Sequence, residues 1–120
     1  MQRTMLNAKI HRATITQADL NYEGSLSIDK NLMESAGIIP FERVHVYNIN
    51  NGDRFETYAI EGEAGSGIIG LNGAAARKGH VGDLIIIVTY GSYAPEDLDE
   101  YEPVILLLDE NNNVKQKLNK

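Results

Sequence analysis

The chain has 120 residues, 42% hydrophobic and 23% charged, which suits one globular domain, residues 1–120, with a core of its own. Its formal net charge is -6, with acids gathered late (Glu96, Asp97, Asp99, Glu100, Glu102, Asp109, Glu110), and this excludes the clustered basic surface that nucleic-acid binding needs. There is no cysteine, so disulfides and thiolate metal sites are excluded, and the longest strongly apolar run, Leu84–Val88, is far too short to span a bilayer.

Met5–Ile15 mixes apolar and polar positions as a strand with one buried face does. Asn7, Lys9, His11 and Arg12 interrupt it, so no apolar leader is read here, and the expected setting is soluble and cytoplasmic, without membrane or nucleic-acid partners. Asp19–Tyr22 reads as a turn before a short strand, Leu26-Ser27-Ile28. Asp29 is placed to cap a short helix with Leu32, Met33 and Ala36 on one side and Gly37 closing it. Val44–Ile49 and Arg54–Ile60 read as a hairpin, with Asn51-Gly52 as a tight type I′ turn.

Glycines 62, 65, 67 and 70 punctuate the next stretch, in which Ile68, Ile69 and Leu71 form a short strand. Gly73–Arg77 has the composition of one or two helical turns. A turn over Gly79–Gly82 leads into Leu84–Val88, apolar on both faces and so expected at the centre of a sheet. Val104–Leu108 is a further apolar strand, and Asn111-Asn112-Asn113 a turn before a polar tail. Many short strands and few helices predict a mainly β fold, a small closed barrel.

Strand parity selects a polar surface. Lys9 and His11 are two apart, and Arg54 and Tyr58 are four apart with Glu56 between them, so each pair shares a face. Such a surface suits an anionic substrate, because a guanidinium grips a carboxylate with two hydrogen bonds and an ammonium adds a point charge. Taken singly, each of these residues is an ordinary solvated or packing side chain; only the set points to a site. His45 reads as an outward strand position and His80 as a turn residue. With no second ligand at a useful spacing, no metal site is expected. In Asn72-Gly73-Ala74-Ala75-Ala76, a capping residue and small residues could offer backbone N–H groups to a carboxylate, or simply pack into a core. Gly-Ser occurs at 24–25, 65–66 and 91–92, and nothing in the dipeptide itself singles out one of them.

The ordered stretches Lys9-Ile10-His11-Arg12, Asp19-Leu20-Asn21-Tyr22-Glu23-Gly24-Ser25, Asn51-Gly52 with Arg54 and Thr57-Tyr58, and Asn72–Ala76 followed by Val81-Gly82-Asp83 carry a specific likeness. In them the chain resembles the pyruvoyl-dependent aspartate decarboxylases. The resemblance implies a small double-psi β-barrel with a few short helices, assembled as a homotetramer. It implies self-cleavage between Gly24 and Ser25 into residues 1–24 and 25–120, with Ser25 converted to a covalent pyruvoyl group. It also implies decarboxylation of L-aspartate to β-alanine and CO2 for pantothenate synthesis, through a Schiff base on that group and with no metal or pyridoxal phosphate. Tyr58 matches the proton donor. Thr57 matches an oxyanion-stabilising residue and Tyr22 a neighbour of the cleavage point. Lys9, His11, Arg54, Thr57, Asn72, Gly73, Ala74 and Ala75 match substrate contacts. On a regular strand Thr57 and Tyr58 point to opposite faces, so both reach one site only through a bulge, backbone contacts or a site between subunits, the last preferred because a small barrel has little interior room. A partner that activates maturation is left open, as are two other readings: a non-catalytic binding module, and a pyruvoyl decarboxylase of another acidic amino acid such as glutamate.

Overall fold

The opening strand is longer than its apolar residues suggest. In the computed structural model, which describes residues 1–119, β1 runs Arg3–Thr14 and buries Ala8, Ile10 and Ala13. Its pairing shifts between Leu6 and Ala8 and again between His11 and Ala13. At the second shift Arg12 takes a positive φ of 66°, and the extra residue resets the alternation so that Ala13 faces inward in its place.

The remaining elements are β2 (Gln17–Asp19), β3 (Ser25–Asp29), α1 (Lys30–Ala36), β4 (Arg43–Asn48), β5 (Arg54–Gly62), β6 (Ile69–Asn72), a 3-10 helix (Gly73–Lys78), β7 (Leu84–Tyr93), a second 3-10 helix (Pro95–Glu100), β8 (Val104–Leu108) and β9 (Val114–Asn119). The strands form one mainly antiparallel sheet in the order β2-β6-β3-β5-β4-β7-β1-β8-β9. Parallel pairs join β1 to β8, β2 to β6 and β3 to β5. The fold is mainly β and consistent with a small barrel, although the ladder ends at β2 and β9 instead of closing. Single bonds outside the ladder tie the β1–β2 and β8–β9 connections to the β6 side and to the end of β1. Thr16 N–H donates to Ile69 O at 2.9 Å, and Asn112 Nδ2 donates to Thr14 O and Gly67 O at 2.9 and 2.8 Å. Inside lies one apolar cluster that includes Ile10, Leu26, Ile28, Val44, Val46, Ile69, Leu71, Ile85, Ile87 and Leu106.

The expected helix forms as read. Asp29 Oδ1 accepts from Asn31 N–H at 2.8 Å, and Gly37 closes the helix in the left-handed conformation. Asp29 also binds the glycine-rich loop, accepting from Gly65 N–H at 3.1 Å and Gly67 N–H at 2.8 Å. Burial pushes this carboxyl up, but the backbone donors Gly67, Gly65, Asn31 and Leu32 outweigh that and hold it below the ordinary aspartate value.

Three expectations give way. The β4–β5 hairpin is present, but its turn is not type I′, because Gly52 alone in that loop has a positive φ. Instead the buried Asn48 organises a wider loop: its Oδ1 accepts from Asn50 and Asn51 N–H at 2.8 and 3.2 Å, and its carbonyl accepts from Gly52 N–H at 2.9 Å. The polar tail is a strand, β9, laid antiparallel on the apolar β8. β7 continues to Tyr93 and stands between β1 and β4, central as expected but about twice its apolar length.

Candidate active site

Burial separates the three Gly-Ser pairs. Ser66 and Ser92 are exposed, whereas Ser25 is 1% exposed at the first position of β3. Asn72, itself 1% exposed, lies opposite Ser25 on β6, and its Nδ2 donates to Ser25 Oγ at 3.0 Å and to Ser27 Oγ at 2.9 Å. Ser25 Oγ in turn has Glu23 O at 3.5 Å. Ser27 is the residue that reading the sequence missed. Its signal was parity, since it lies two positions from Ser25 and so on the same face.

The next residue in the chain clamps the loop. Gly73 has a φ of +63°, and a Cβ there would lie 2.8 Å from Gly24 N and Cα and 2.9 Å from Tyr22 O. Only glycine lets the start of the 3-10 helix lie against the Tyr22–Gly24 backbone. Gly24 itself is open on its other side, with nothing within 4 Å of an added Cβ. A cavity of about 200 Å³ begins there, lined by Gly24, Phe55, Glu56, Thr57, Ala74, Ala75 and Lys78. The structure thus gathers Gly24, Ser25, Asn72, Gly73, Thr57, Ala74 and Ala75 around one loop. Phe55 and Lys78, not foreseen, complete the wall.

The cationic set lies elsewhere. One cross-strand row runs His11, Ile86, Tyr47, Arg54, and the next runs Lys9, Val88, His45, Glu56. All therefore share one face, as parity predicted, but β7 and β4 separate β1 from β5, so Lys9 and His11 are about 14 Å from Arg54 at the usual strand spacing. Tyr58 pairs with Arg43 on that same face and is 38% exposed, its ring 6.0 Å from that of Phe41. It does not line the Gly24 cavity, and Thr57 and Tyr58 point apart, Thr57 pairing with the buried Val44 and Tyr58 with the exposed Arg43. The Leu26–Ala59 pairing, carried back one residue, sets Ser25 and Tyr58 at neighbouring strand positions. Tyr22 is half exposed at the rim.

His11 is half buried, and its Nδ1 is shut off from water without a hydrogen-bond partner among the described residues. Burial first, then the charges of Lys9 and Arg12, lower its pKa below the ordinary 6.5, so the ring is neutral at neutral pH. Among the described residues no group of three or more His, Asp or Glu could share a metal ion, and no helix is long and apolar enough to cross a membrane.

A curled β-sheet that buries one serine behind a glycine-clamped loop, with a cationic face beside it, defines a small mainly β protein consistent with a barrel. The sequence pattern of a known family, aspartate decarboxylase, matches residues 1–115. The chain belongs to that family. It is 60% identical over 116 residues to the aspartate 1-decarboxylase of Desulfotalea psychrophila, covering 97% of this chain and 98% of the relative. The enzyme of the same name from Thermoanaerobacter pseudethanolicus is 60% identical over 112 residues, covering 93% and 96%. That of Cupriavidus necator is 54% identical over 116 residues, covering 97% of each chain.

Proposed function

We propose that this protein decarboxylates L-aspartate to β-alanine and CO2 for pantothenate synthesis, in the cytoplasm, after converting its own Ser25 into a pyruvoyl group. The observation that carries this reading is the seclusion of Ser25: of the serines in the three Gly-Ser pairs, only this one is buried, held by Asn72 and backed by Gly73, which nothing larger could replace.

The residues present fit both the maturation and its product. Asn72 Nδ2 donates to Ser25 Oγ and fixes the oxygen, while the serine's own proton is held only by the long 3.5 Å contact to Glu23 O. Oγ attacks the Gly24 carbonyl carbon, a C–O bond replaces the Gly24–Ser25 C–N bond, and the serine proton passes to the released nitrogen. Thr57, on the wall beside Gly24, is the hydroxyl offered to the developing oxyanion. Removal of the Cα proton of residue 25 expels the Gly24 carboxylate from Cβ and leaves dehydroalanine at position 25. Water then replaces its nitrogen as ammonia, and the chain is left as residues 1–24 and 25–120. Asn72, a pure donor at Nδ2, equally suits a carbonyl oxygen at position 25. That group, once formed, supplies an electron-withdrawing carbonyl to accept the pair released with CO2.

The cationic face supplies recognition. Arg54 binds one substrate carboxylate in a fork, Lys9 contributes a second positive charge, and neutral His11 contributes a hydrogen bond without adding repulsion. Ala74 and Ala75 line the cavity, and with Gly73 beside them they are the residues that offer backbone N–H groups to the substrate. Tyr58 gives the proton to the product carbon, since a phenol is protonated at neutral pH. Because Lys9 and His11 lie so far from Arg54 on one sheet, a second copy of the chain completes the site. The homotetramer implied by the family provides such copies, and the exposed Ile39, Phe41 and Tyr58 give it an apolar surface to cover.

Intact-mass measurement tests the reading. The wild type should resolve into two fragments, the larger trapped by borohydride in the presence of aspartate but not of glutamate. Ser25→Ala should remain one inactive 13.3 kDa chain. Turnover by that uncleaved variant would refute the mechanism, and trapping with glutamate alone would shift the substrate.

A further inference from the structure

The outer face shows how the charge of Arg54 is kept available. Tyr47 lies directly opposite Arg54 across the β4–β5 pair, and Arg54 Cζ is 4.2 Å from the Tyr47 ring centroid. The negative face of a phenol ring holds a guanidinium while leaving its in-plane N–H donors free for a carboxylate. The ring itself is held in place. The Tyr47 and Tyr90 hydroxyls share a hydrogen bond of 2.8 Å, and the Tyr90 ring meets His45 at 5.1 Å in an edge-on arrangement.

The acid best placed to neutralise Arg54 is Glu56, two residues along the same face. It is engaged by other partners, Arg43 at 3.2 Å and His45 at 4.0 Å. Arg54 forms no ion pair among the described residues. A strand arginine beside a glutamate would ordinarily lean toward it; here the aromatic ring offers a competing seat, and the glutamate is already occupied.

We propose that Tyr47, locked by Tyr90, is a positioning residue that holds Arg54 with its donor edge open to a substrate carboxylate and away from Glu56. The proposal rests on Arg54 being the carboxylate anchor, as read above. It assigns to an aromatic pair outside the cleavage loop a share of substrate affinity.

Steady-state kinetics on cleaved enzyme, with cleavage checked by intact mass, tests it. Tyr47→Leu should raise KM for aspartate roughly tenfold, the scale of a guanidinium–ring contact, and change kcat little, because the contact serves bound substrate and transition state alike. Tyr47→Trp should restore a KM near wild type. Adding Glu56→Gln to Tyr47→Leu should recover part of the loss, an outcome that a merely structural role for Tyr47 would not produce. Should Tyr47→Leu fail to fold or cleave, Tyr90→Phe keeps the packing and removes only the hydroxyl, and a KM increase of about threefold is expected. Arg54→Ala separates the two layers. If Arg54→Ala raises KM while Tyr47→Leu or Tyr90→Phe leaves it unchanged, the positioning role is overturned and the anchor stands. If Arg54→Ala leaves KM unchanged, the anchor reading fails and the proposal falls with it.

Discussion

Two regions of this molecule handle polarity in opposite ways. Around Ser25, polar groups are buried, few and mutually satisfied: Asn72 serves Ser25 and Ser27, and Gly73 presses backbone against backbone. On the outer face of β1, β7, β4 and β5, polar groups are numerous, half exposed and spread along cross-strand rows. The first arrangement is rigid because any displacement strands a buried donor or creates a clash. The second is adaptable, and Arg54 needs a ring beside it to have a defined position at all. A bond-breaking step within the chain calls for the first kind of region, and capture of a diffusing dicarboxylate for the second.

The sharpest way to test this division is to alter chemistry on the open face and look for an effect in the buried loop. Tyr58→Phe removes one hydroxyl from the face and nothing from the Ser25 network. Turnover should fall about 10²- to 10⁴-fold, the range for losing a general acid, while cleavage yield and melting temperature stay at wild-type values. Intact mass and a β-alanine assay on one preparation give both numbers. Slowed cleavage in that variant would mean that the two regions are not separate.

Gly73→Ala tests the reverse. The added methyl group meets Gly24 backbone at 2.8 Å in a conformation with φ +63°. Strain and displacement should cost about 2–3 kcal/mol and slow cleavage about a hundredfold, since small misplacements of reacting atoms have that effect. Denaturant unfolding and a time course by mass measure both. Wild-type cleavage would show that the clamp does not position the loop.

Local signals were legible in the sequence, and long-range ones were not. Asp29 and Gly37 announce their helix because a cap and a left-handed terminus are decided within a few residues. The parity of Lys9, His11, Arg54 and Tyr58 was equally readable, being a property of single strands. The distance between the pairs was not, because the order β1-β7-β4-β5 follows from pairings far apart in the chain. The hairpin loop misled for a related reason: Asn51-Gly52 favours a tight turn, but the buried Asn48 side chain captured the backbone N–H groups first. β9 was hidden because an edge strand needs little hydrophobicity of its own when it pairs with β8. Family resemblance picked Gly24-Ser25 among three candidates. The physical distinction, burial behind Asn72, exists only once β3 and β6 pair.

The smallest effect lies on the open face and concerns pH. His11 has its pKa lowered by burial, then by Lys9 and Arg12, and its neighbours across β7 and β8, Ile86 and Leu107, bring no compensating charge. The unfolded chain therefore takes up a proton near pH 6.5 while the folded chain does not. Between the folded value and 6.5 the unfolded state holds more protons, so stability is full above that window and declines as pH falls through it. Denaturant titrations at pH 7.5 and pH 5 should show a modest loss in the wild type, about 1 kcal/mol or less for so partly buried a ring. His11→Gln should flatten that slope. Lys9→Gln, which removes the stronger of two repelling charges, should reduce it without abolishing it, because burial is the larger cause. An unchanged slope in His11→Gln would overturn this assignment, and Asp29 could not take its place, because its lowered pKa leaves its contribution intact until pH falls below 3.8.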